Sequence, residues 1–293
     1  MKRLVIGYFG DGIWAQNCFL KIIQNPHIQI AFVVLRNERD KKLEKLAENE
    51  NIPCFFKVDI NSSAFIQKIQ SFSPDLLVSM SFDQIFKTEL LKLYPRKIIN
   101  CHAGKLPFYR GRNILNWVLI NDEKEFGISV HFVDSGIDTG DIILQKSYPI
   151  SDKDDYTTLL KLAYKECANL LFKALLLFLK GEVKAFKQIE GGFYCPRRKK
   201  GDEFIDWSLS TREIFNFIRA LNAPNLGASA FIKDKEIKLF KSKIIQDDFK
   251  NSKTGAIVQK DDKSFIVKTK DGALKVLKFK GEVKLNDKFM NHF

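Results

Sequence analysis

The residues best suited to chemistry lie between positions 100 and 141. Asn100-Cys101-His102 closes a short apolar run, Ile98-Ile99, that reads as the end of a strand. Alternation along a strand puts Asn100 and His102 on one face and turns Cys101 to the other, so Cys101 is not expected to act as a nucleophile. A loop of Gly, Pro and basic residues follows, Ala103-Gly104-Lys105-Leu106-Pro107-Phe108-Tyr109-Arg110-Gly111-Arg112-Asn113. Farther on, Asp134-Ser135-Gly136-Ile137-Asp138-Thr139-Gly140-Asp141 is an acidic, glycine-flanked loop between two strand-like runs. An amide, an imidazole and a carboxylate in one cleft can carry acyl transfer. The amide N–H holds a developing oxyanion, the imidazole moves a proton, and the carboxylate orients or charges the imidazole. Residue types alone do not decide this, because a histidine at a strand end is more often a hydrogen-bonded core residue and an Asp-Gly loop is usually a turn.

Such residues need a scaffold that delivers strand ends to one side. The first half alternates signals of period two and period 3.6, with strands predicted over 4–8, 28–35, 52–56, 74–80 and 98–100 and helices over 14–24, 41–50 and 64–72. That predicts an α/β fold, a Rossmann-like parallel or mixed sheet with helices on both faces, whose ligands sit outside the carboxyl ends of strands. Gly10, Ser79-Met80-Ser81 and Asn100-Cys101-His102 fall at such ends. Strands at 127–133 and 141–150 precede a long helix over 156–179, ended by Lys180-Gly181. Composition shifts after Gly191-Gly192 and Arg197-Arg198-Lys199-Lys200-Gly201 reads as a loop, so a catalytic domain is placed at 1–200 and a second domain at 201–293. The second opens with a linker helix over 205–223, in which Ser210 is a plausible N-cap with Glu213 three residues on. Short alternating segments from Phe231 onward then predict a small C-terminal OB-like β-barrel.

Composition narrows the classes. The 293 residues are 45% hydrophobic and 28% charged, as in ordinary soluble globular chains. No run of about 18 apolar residues occurs, so no membrane span is expected. The apolar residues after Met1-Lys2-Arg3 run too soon into Gly10-Asp11-Gly12 for a secretory leader. The five cysteines are scattered without CxxC spacing, which predicts free thiols, no metal and a cytoplasmic location. The net charge of +13 is mostly lysine spread along the whole chain, which argues for diffuse composition over a nucleic-acid groove.

Asn100-x-His102 followed by Leu106-Pro107-x-Tyr109-Arg110-Gly111, with Gly136-Ile137-Asp138-Thr139-Gly140 beyond, closely resembles the N10-formyltetrahydrofolate-dependent formyltransferases. These include methionyl-tRNA, glycinamide ribonucleotide and amino-sugar enzymes. The resemblance covers roughly the first 180 residues and continues more loosely into Asp206-Trp207, Ile218-Arg219-Ala220-Leu221 and Thr269-Lys270-Asp271-Gly272-Ala273-Leu274. It implies that Asn100, His102 and Asp138 are catalytic. Asp138 is preferred to Asp141 because the family's carboxylate precedes a Thr-Gly or Gly-Gly pair. It implies N10-formyltetrahydrofolate as co-substrate, bound by Ser79, Ser81, Phe82, Asp83 and Ile85 with Asp138 beside it, and a reaction with neither metal nor covalent enzyme intermediate.

The same resemblance addresses the acceptor, for which Gly10, Trp14, Lys105, Tyr109, Arg110, Arg112 and Asn113 are the candidate contacts. Gly111-Arg112-Asn113-Ile114-Leu115-Asn116-Trp117 resembles the Arg-Gly-Arg-x-x-x-x-Trp pattern of sugar formyltransferases more than the Arg-Gly-Ala-x-Pro-Ile pattern of the tRNA enzymes. The basic insertion that the tRNA enzymes carry after their second strand has no counterpart in Arg36-Asn37-Glu38-Arg39-Asp40-Lys41-Lys42. Ala103-Gly104-Lys105 replaces the Gly-Ser-Leu that follows the tRNA enzyme's histidine, and Lys105 could meet a diphosphate. The expected acceptor is therefore a dTDP- or UDP-linked 4-amino-4,6-dideoxy sugar for surface glycans, and a homodimer is compatible with the resemblance. Methionyl-tRNA is the alternative, since the tRNA enzymes and a sugar formyltransferase of lipid A modification both carry such a barrel. A degenerate protein that only binds folate or nucleotide-sugar is a third reading, and the presence of all three catalytic residue types argues against it.

Overall fold

The computed structural model describes residues 3–36, 40–247 and 249–291. It divides into two compact units, one made of Met1–Gly111, Phe126–Tyr148 and Lys161–Tyr194, the other of Arg112–Glu125, Pro149–Leu160 and Cys195–Phe293.

The first unit holds a seven-stranded sheet of order β3-β2-β1-β4-β5-β7-β8. Its strands are β1 (Leu4–Gly10), β2 (Ile28–Val34), β3 (Cys54–Phe55), β4 (Leu76–Met80), β5 (Ile98–His102), β7 (Glu125–Phe132) and β8 (Ile142–Pro149), with a two-residue β6 (Arg110–Gly111) between. Strands β1 to β5 are parallel, and β7 is antiparallel to β5. The order runs outward from β1 and then returns to β4, so the crevice beside β1 and β4 is the switch point of the sheet. Helices α1 (Gly12–Ile22), α2 (Lys41–Asn49), α3 (Ser63–Gln70) and α4 (Thr88–Leu93) connect the parallel strands. Three of them start where the sequence offers a cap, with Asp11, Asp40 and Ser62 accepting from the first-turn N–H groups of α1, α2 and α3, whereas Lys87 before α4 makes no side-chain cap bond. The apolar stripe between them is rich in phenylalanine; Phe9 meets Phe32 edge-on at 5.8 Å and Phe86 at 5.1 Å. The expected third strand shrinks to two residues, and the first helix begins at Gly12 because Asp11 caps it.

Around the second unit's barrel lie α5 (Ile114–Ile120), the start of the long α6 (Tyr156–Lys180), the short β9 (Tyr194–Cys195) and α7 (Thr211–Ala220). Five antiparallel strands, β10 (Ala228–Ile232), β11 (Lys235–Ile245), β12 (Ile257–Lys260), β13 (Phe265–Lys268) and β14 (Ala273–Lys280), take the order β10-β11-β14-β13-β12. Residues 286–290 lie between the two edge strands: Met290 N donates to Phe231 O at 2.9 Å, and Ile257 N donates to Asp287 O at 2.8 Å. Each edge strand thereby gains a backbone partner, as in the closing of a barrel. Inside, Trp207 stacks flat on Phe289 at 4.9 Å among Ile214, Ile218, Phe265 and Val267.

The linker helix is shorter than the sequence predicts. Residues 205–210 are not helical, because the Asp206 carboxylate accepts from Ser208 N at 2.9 Å, Ser208 Oγ at 2.7 Å and Asn291 Nδ2 at 2.9 Å. Such local bonds compete with helical ones. Helix α7 starts at Ser210 with the expected capping box. After the loop, the chain turns helical at Ile114.

Candidate active site

The strand order brings the three chemical residues together. Antiparallel pairing of β5 with β7 sets Asn100 opposite His131 and His102 opposite Ser129. Asn100 Nδ2 lies 3.3 Å from His131 Nε2. Asp138, in the loop from β7 to β8, has a left-handed backbone (φ 54°) and places Oδ2 3.6 Å from His102 Nδ1 and Oδ1 3.4 Å from His131 Nε2. Gly111 N donates to the same Oδ2 at 2.9 Å. The carboxylate thus stands between two imidazoles.

The outer contacts of the imidazoles fix which nitrogen does what. His102 Nε2 is 2.7 Å from Tyr109 O and His131 Nδ1 is 2.7 Å from Phe132 O. A carbonyl only accepts, so both of these nitrogens carry a proton and donate. His102 can then exchange a proton only at Nδ1, the nitrogen that faces Asp138. Burial alone would push the Asp138 carboxyl up. The imidazole of His102, the hydrogen bond and charge of His131 and the Gly111 N–H outweigh it and hold the carboxyl well below the usual carboxylate range.

The surrounding loops are built for this approach. A Cβ at Gly104 would sit 2.4 Å from both His102 Nε2 and Tyr109 O, so only glycine lets that hydrogen bond close. Ser129 Oγ donates to Gly104 O at 2.7 Å, and Gln145 Nε2 donates to Leu106 O and Ser129 Oγ, both at 2.9 Å. Gln188 accepts from Arg110 Nε at 3.1 Å and Nη2 at 2.6 Å and donates to Asp138 O and Gly140 O at 2.9 and 2.8 Å. His131 and Gln188 are the residues that sequence reasoning missed. For His131 a signal existed: Ser129 and His131 are polar, two apart, on one face of a strand that is apolar after Glu125 apart from them.

Of the remaining candidates, Ser79 is buried in β4, in register with Asn100. Ser81 accepts from Arg36 Nη2 at 3.0 Å. Phe82 packs edge-on against Phe9 at 5.5 Å and belongs partly to the core, whereas Asp83 and Ile85 are exposed. Gly10 ends β1 in register with Met80, and Trp14 meets Tyr164 edge-on at 4.6 Å. The stem of Lys105 lies against Gly127, and the buried Tyr109 ring meets Phe193 at 4.8 Å. Arg112 and Asn113 are exposed residues of the second unit, where Arg112 N donates to Cys195 O and Asn113 Oδ1 accepts from Arg198 N, each at 3.0 Å. Asn37, Glu38 and Arg39 lie outside the described residues. Asp141 pairs with Arg96 at 2.7 Å, away from the imidazoles. Cys101 is buried, its Sγ 3.6 Å from Cys167 O, and burial raises its pKa well above that of an ordinary thiol.

Among the described residues no group of three or more His, Cys, Asp or Glu side chains could hold a metal ion, and no helix is long and apolar enough to cross a membrane. In the segment between β4 and α4, Ile85 is 60% exposed on a loop whose Asp83 is also open to solvent.

Comparison with known proteins gives the family. Residues 2–175 match the formyl transferase family and residues 197–290 its C-terminal domain. The methionyl-tRNA formyltransferase of Fusobacterium nucleatum is 34% identical over 256 residues, covering 85% of this chain and 82% of that one. The bifunctional polymyxin resistance protein ArnA of Wigglesworthia glossinidia brevipalpis is 31% identical over 260 residues, 87% of this chain and 39% of that one. In fold, the chain is similar to WlaRD, a sugar 3N-formyltransferase, with a TM-score of 0.68 and 23% identity over 97% of this chain and all of that one. The chain belongs to the formyl transferase family. It is a formyltransferase, and the formyl group of this family comes from N10-formyltetrahydrofolate.

Proposed function

We propose that the acceptor is the primary amine of a nucleotide-linked amino-deoxy sugar, and that Asn100, His102 and Asp138 carry the transfer. The observation that carries the acceptor reading is the segment from Arg110 to Trp117, which resembles the sugar enzymes' pattern and follows directly on Gly111, whose N–H binds Asp138. Two features support it. The connection from β2 to α2 is only residues 35–40, too short for the insertion of the tRNA enzymes. Beside Tyr109, the half-exposed rings of Phe108, Phe193 and Tyr194 flank Arg110, whose guanidinium lies 5.6 Å over Tyr194; rings and a cation side by side suit a nucleobase joined to phosphates.

When bound, the folate supplies an activated formyl group on N10. Asn100 directs an amide N–H at the oxygen on which charge develops. His102 takes the attacking amine's proton at Nδ1 and gives it to N10 as the bond from the formyl carbon to N10 breaks, and Asp138 stabilises the charged imidazole meanwhile. Ser79, Ser81, Phe82, Asp83 and Ile85 hold the folate ring.

Methionyl-tRNA is the second reading, favoured by relatives of that name at 31–37% identity. Parallel assays with formylfolate as donor test the choice. Turnover of a dTDP- or UDP-amino sugar with none of Met-tRNA is expected. Turnover of Met-tRNA with none of any sugar nucleotide would overturn the sugar assignment and leave the formyltransferase standing.

A further inference from the structure

After α6 the chain crosses beside the site as a strap with little regular structure of its own. It is tied down at one end by two backbone bonds between Ile142 and Phe186, of 2.9 and 3.0 Å, and at the other by Arg110 N donating to Phe193 O at 3.2 Å. Gln188 lies between these ties. Its amide oxygen takes two hydrogen bonds from the Arg110 guanidinium, and its amide nitrogen gives both hydrogens, to Asp138 O and Gly140 O. Every bonding valence of the amide is used.

These four bonds join the two loops that define the His102–Asp138 pair. On the Arg110 side, Tyr109 O holds His102 Nε2 and Gly111 N holds Asp138 Oδ2. On the other side, the captured carbonyls flank Thr139 and pin the turn in which Asp138 takes its left-handed φ of 54°. A non-glycine residue keeps such a conformation only where its surroundings over-determine it. No other kind of side chain could serve: a carboxylate would face two carbonyl oxygens with like charge, and an ammonium could not accept from Arg110.

We propose that Gln188 is a positioning residue, which aims the Asp138 carboxylate at His102 by locking the 138–140 turn to the Arg110 loop. This rests on the reading of Asn100, His102 and Asp138 as the catalytic trio. It requires the amide itself, not merely a side chain of this size.

The test uses the full chain carrying Gln188→Leu, Gln188→Glu, Asp138→Asn and the double change Gln188→Leu/Asp138→Asn, assayed on whichever acceptor turns over. Misplacing a reacting group costs up to about 100-fold, so kcat of Gln188→Leu should fall about 10- to 100-fold while KM for formylfolate stays within about threefold. Gln188→Glu, equal in size, should be no better, and it serves if the leucine variant fails to fold. In the Asp138→Asn background Gln188→Leu should cost less than about threefold more, because coupled residues are non-additive. The chain has four histidines, so imidazole NMR signals can be followed singly. Those of His102 and His131 should move in Gln188→Leu as they do in Asp138→Asn, with His27 unchanged. Near-wild-type kcat in either Gln188 variant, a fully multiplicative double change, or unmoved His102 and His131 signals would each overturn the proposal while the trio stands. Wild-type kcat in Asp138→Asn would overturn the trio itself, and the role of Gln188 with it.

Discussion

The Nε2 atom of His131 lies 3.4 Å from Oδ1 of Asp138, so the carboxylate that faces His102 with one oxygen faces a second buried imidazole with the other. The same Nε2 meets the amide of Asn100. His131 therefore orients two of the three proposed catalytic groups, and its loss should be felt by both. His131→Ala is expected to fold, with stability lowered by about 1–3 kcal/mol for the polar groups left without a partner, and to lose about 10- to 100-fold in kcat. Steady-state rates beside a urea melt check this, and an unchanged kcat would reduce His131 to a packing residue.

Asn100→Ala, His102→Ala and Asp138→Ala should each cut kcat by at least about 100-fold, the usual cost of losing an oxyanion donor or a general acid–base. Cys101→Ser should keep near-wild-type activity, since the buried thiol faces Cys167. Asp141→Ala should also remain active. A dead Asp141 variant with an active Asp138 variant would reverse the carboxylate assignment.

Acid should reveal Asp138 as a stabilising charge. Its carboxyl ionises lower in the folded chain than the value of about 3.9 expected unfolded. The contribution is thus complete above that unfolded value and disappears as pH falls through the folded one. Asp138→Asn should be less stable than wild type at pH 7, with the gap closing below about pH 4. Denaturant melts at pH 7, 5 and 3 measure it, and a gap that widens in acid contradicts the sign.

If Lys105 and Arg112 meet phosphates of the acceptor, replacing either by Ala should raise the acceptor KM about 10- to 150-fold, as for a lost charge-assisted hydrogen bond. KM for formylfolate should stay within about threefold. Equal losses for both substrates would place these cations on the donor side or in the scaffold.

In the barrel unit, Asp271 Oδ1 accepts from Thr211 N and Thr211 Oγ1, each at 2.7 Å, and so secures the first turn of α7. Asp271→Ala should lower stability by about 1–2 kcal/mol with kcat unchanged. Thermal melting and one rate assay suffice, and a large loss of rate would give this unit a direct part in the chemistry.

The sequence displayed what is local. The strand signals, the capping box at Ser210 and the motifs around Asn100 and Asp138 all depend on neighbours a few residues away. His131 and Gln188 depend on distant ones. That β7 runs antiparallel to β5, and in a register that sets His131 against Asn100, is decided by sheet order, which no periodicity reveals. Gln188 lies in a stretch with almost no secondary structure, fifty residues from the carbonyl it captures. The linker helix forms behind its Ser210 cap, but its expected extension back to 205 does not, since Asp206 bonds to its own neighbour Ser208 in preference to a helical turn.

One detail of the first crossover bears on how acceptor choice could change. In sheets of this kind, the first helix often offers its leading N–H groups to a phosphate. Here the Gly12 N–H is taken by Asp11 Oδ1 at 2.7 Å and Asp40 Oδ2 at 2.8 Å, which sets negative charge where such an anion would rest. On the proposed nucleotide-linked acceptor, anion recognition would rest on long cationic side chains, which a point mutation can redraw, rather than on this backbone. Preference among phosphorylated acceptors should then drift or be engineered by exchanging single surface residues, with the sheet and its proton-handling cluster left as they are.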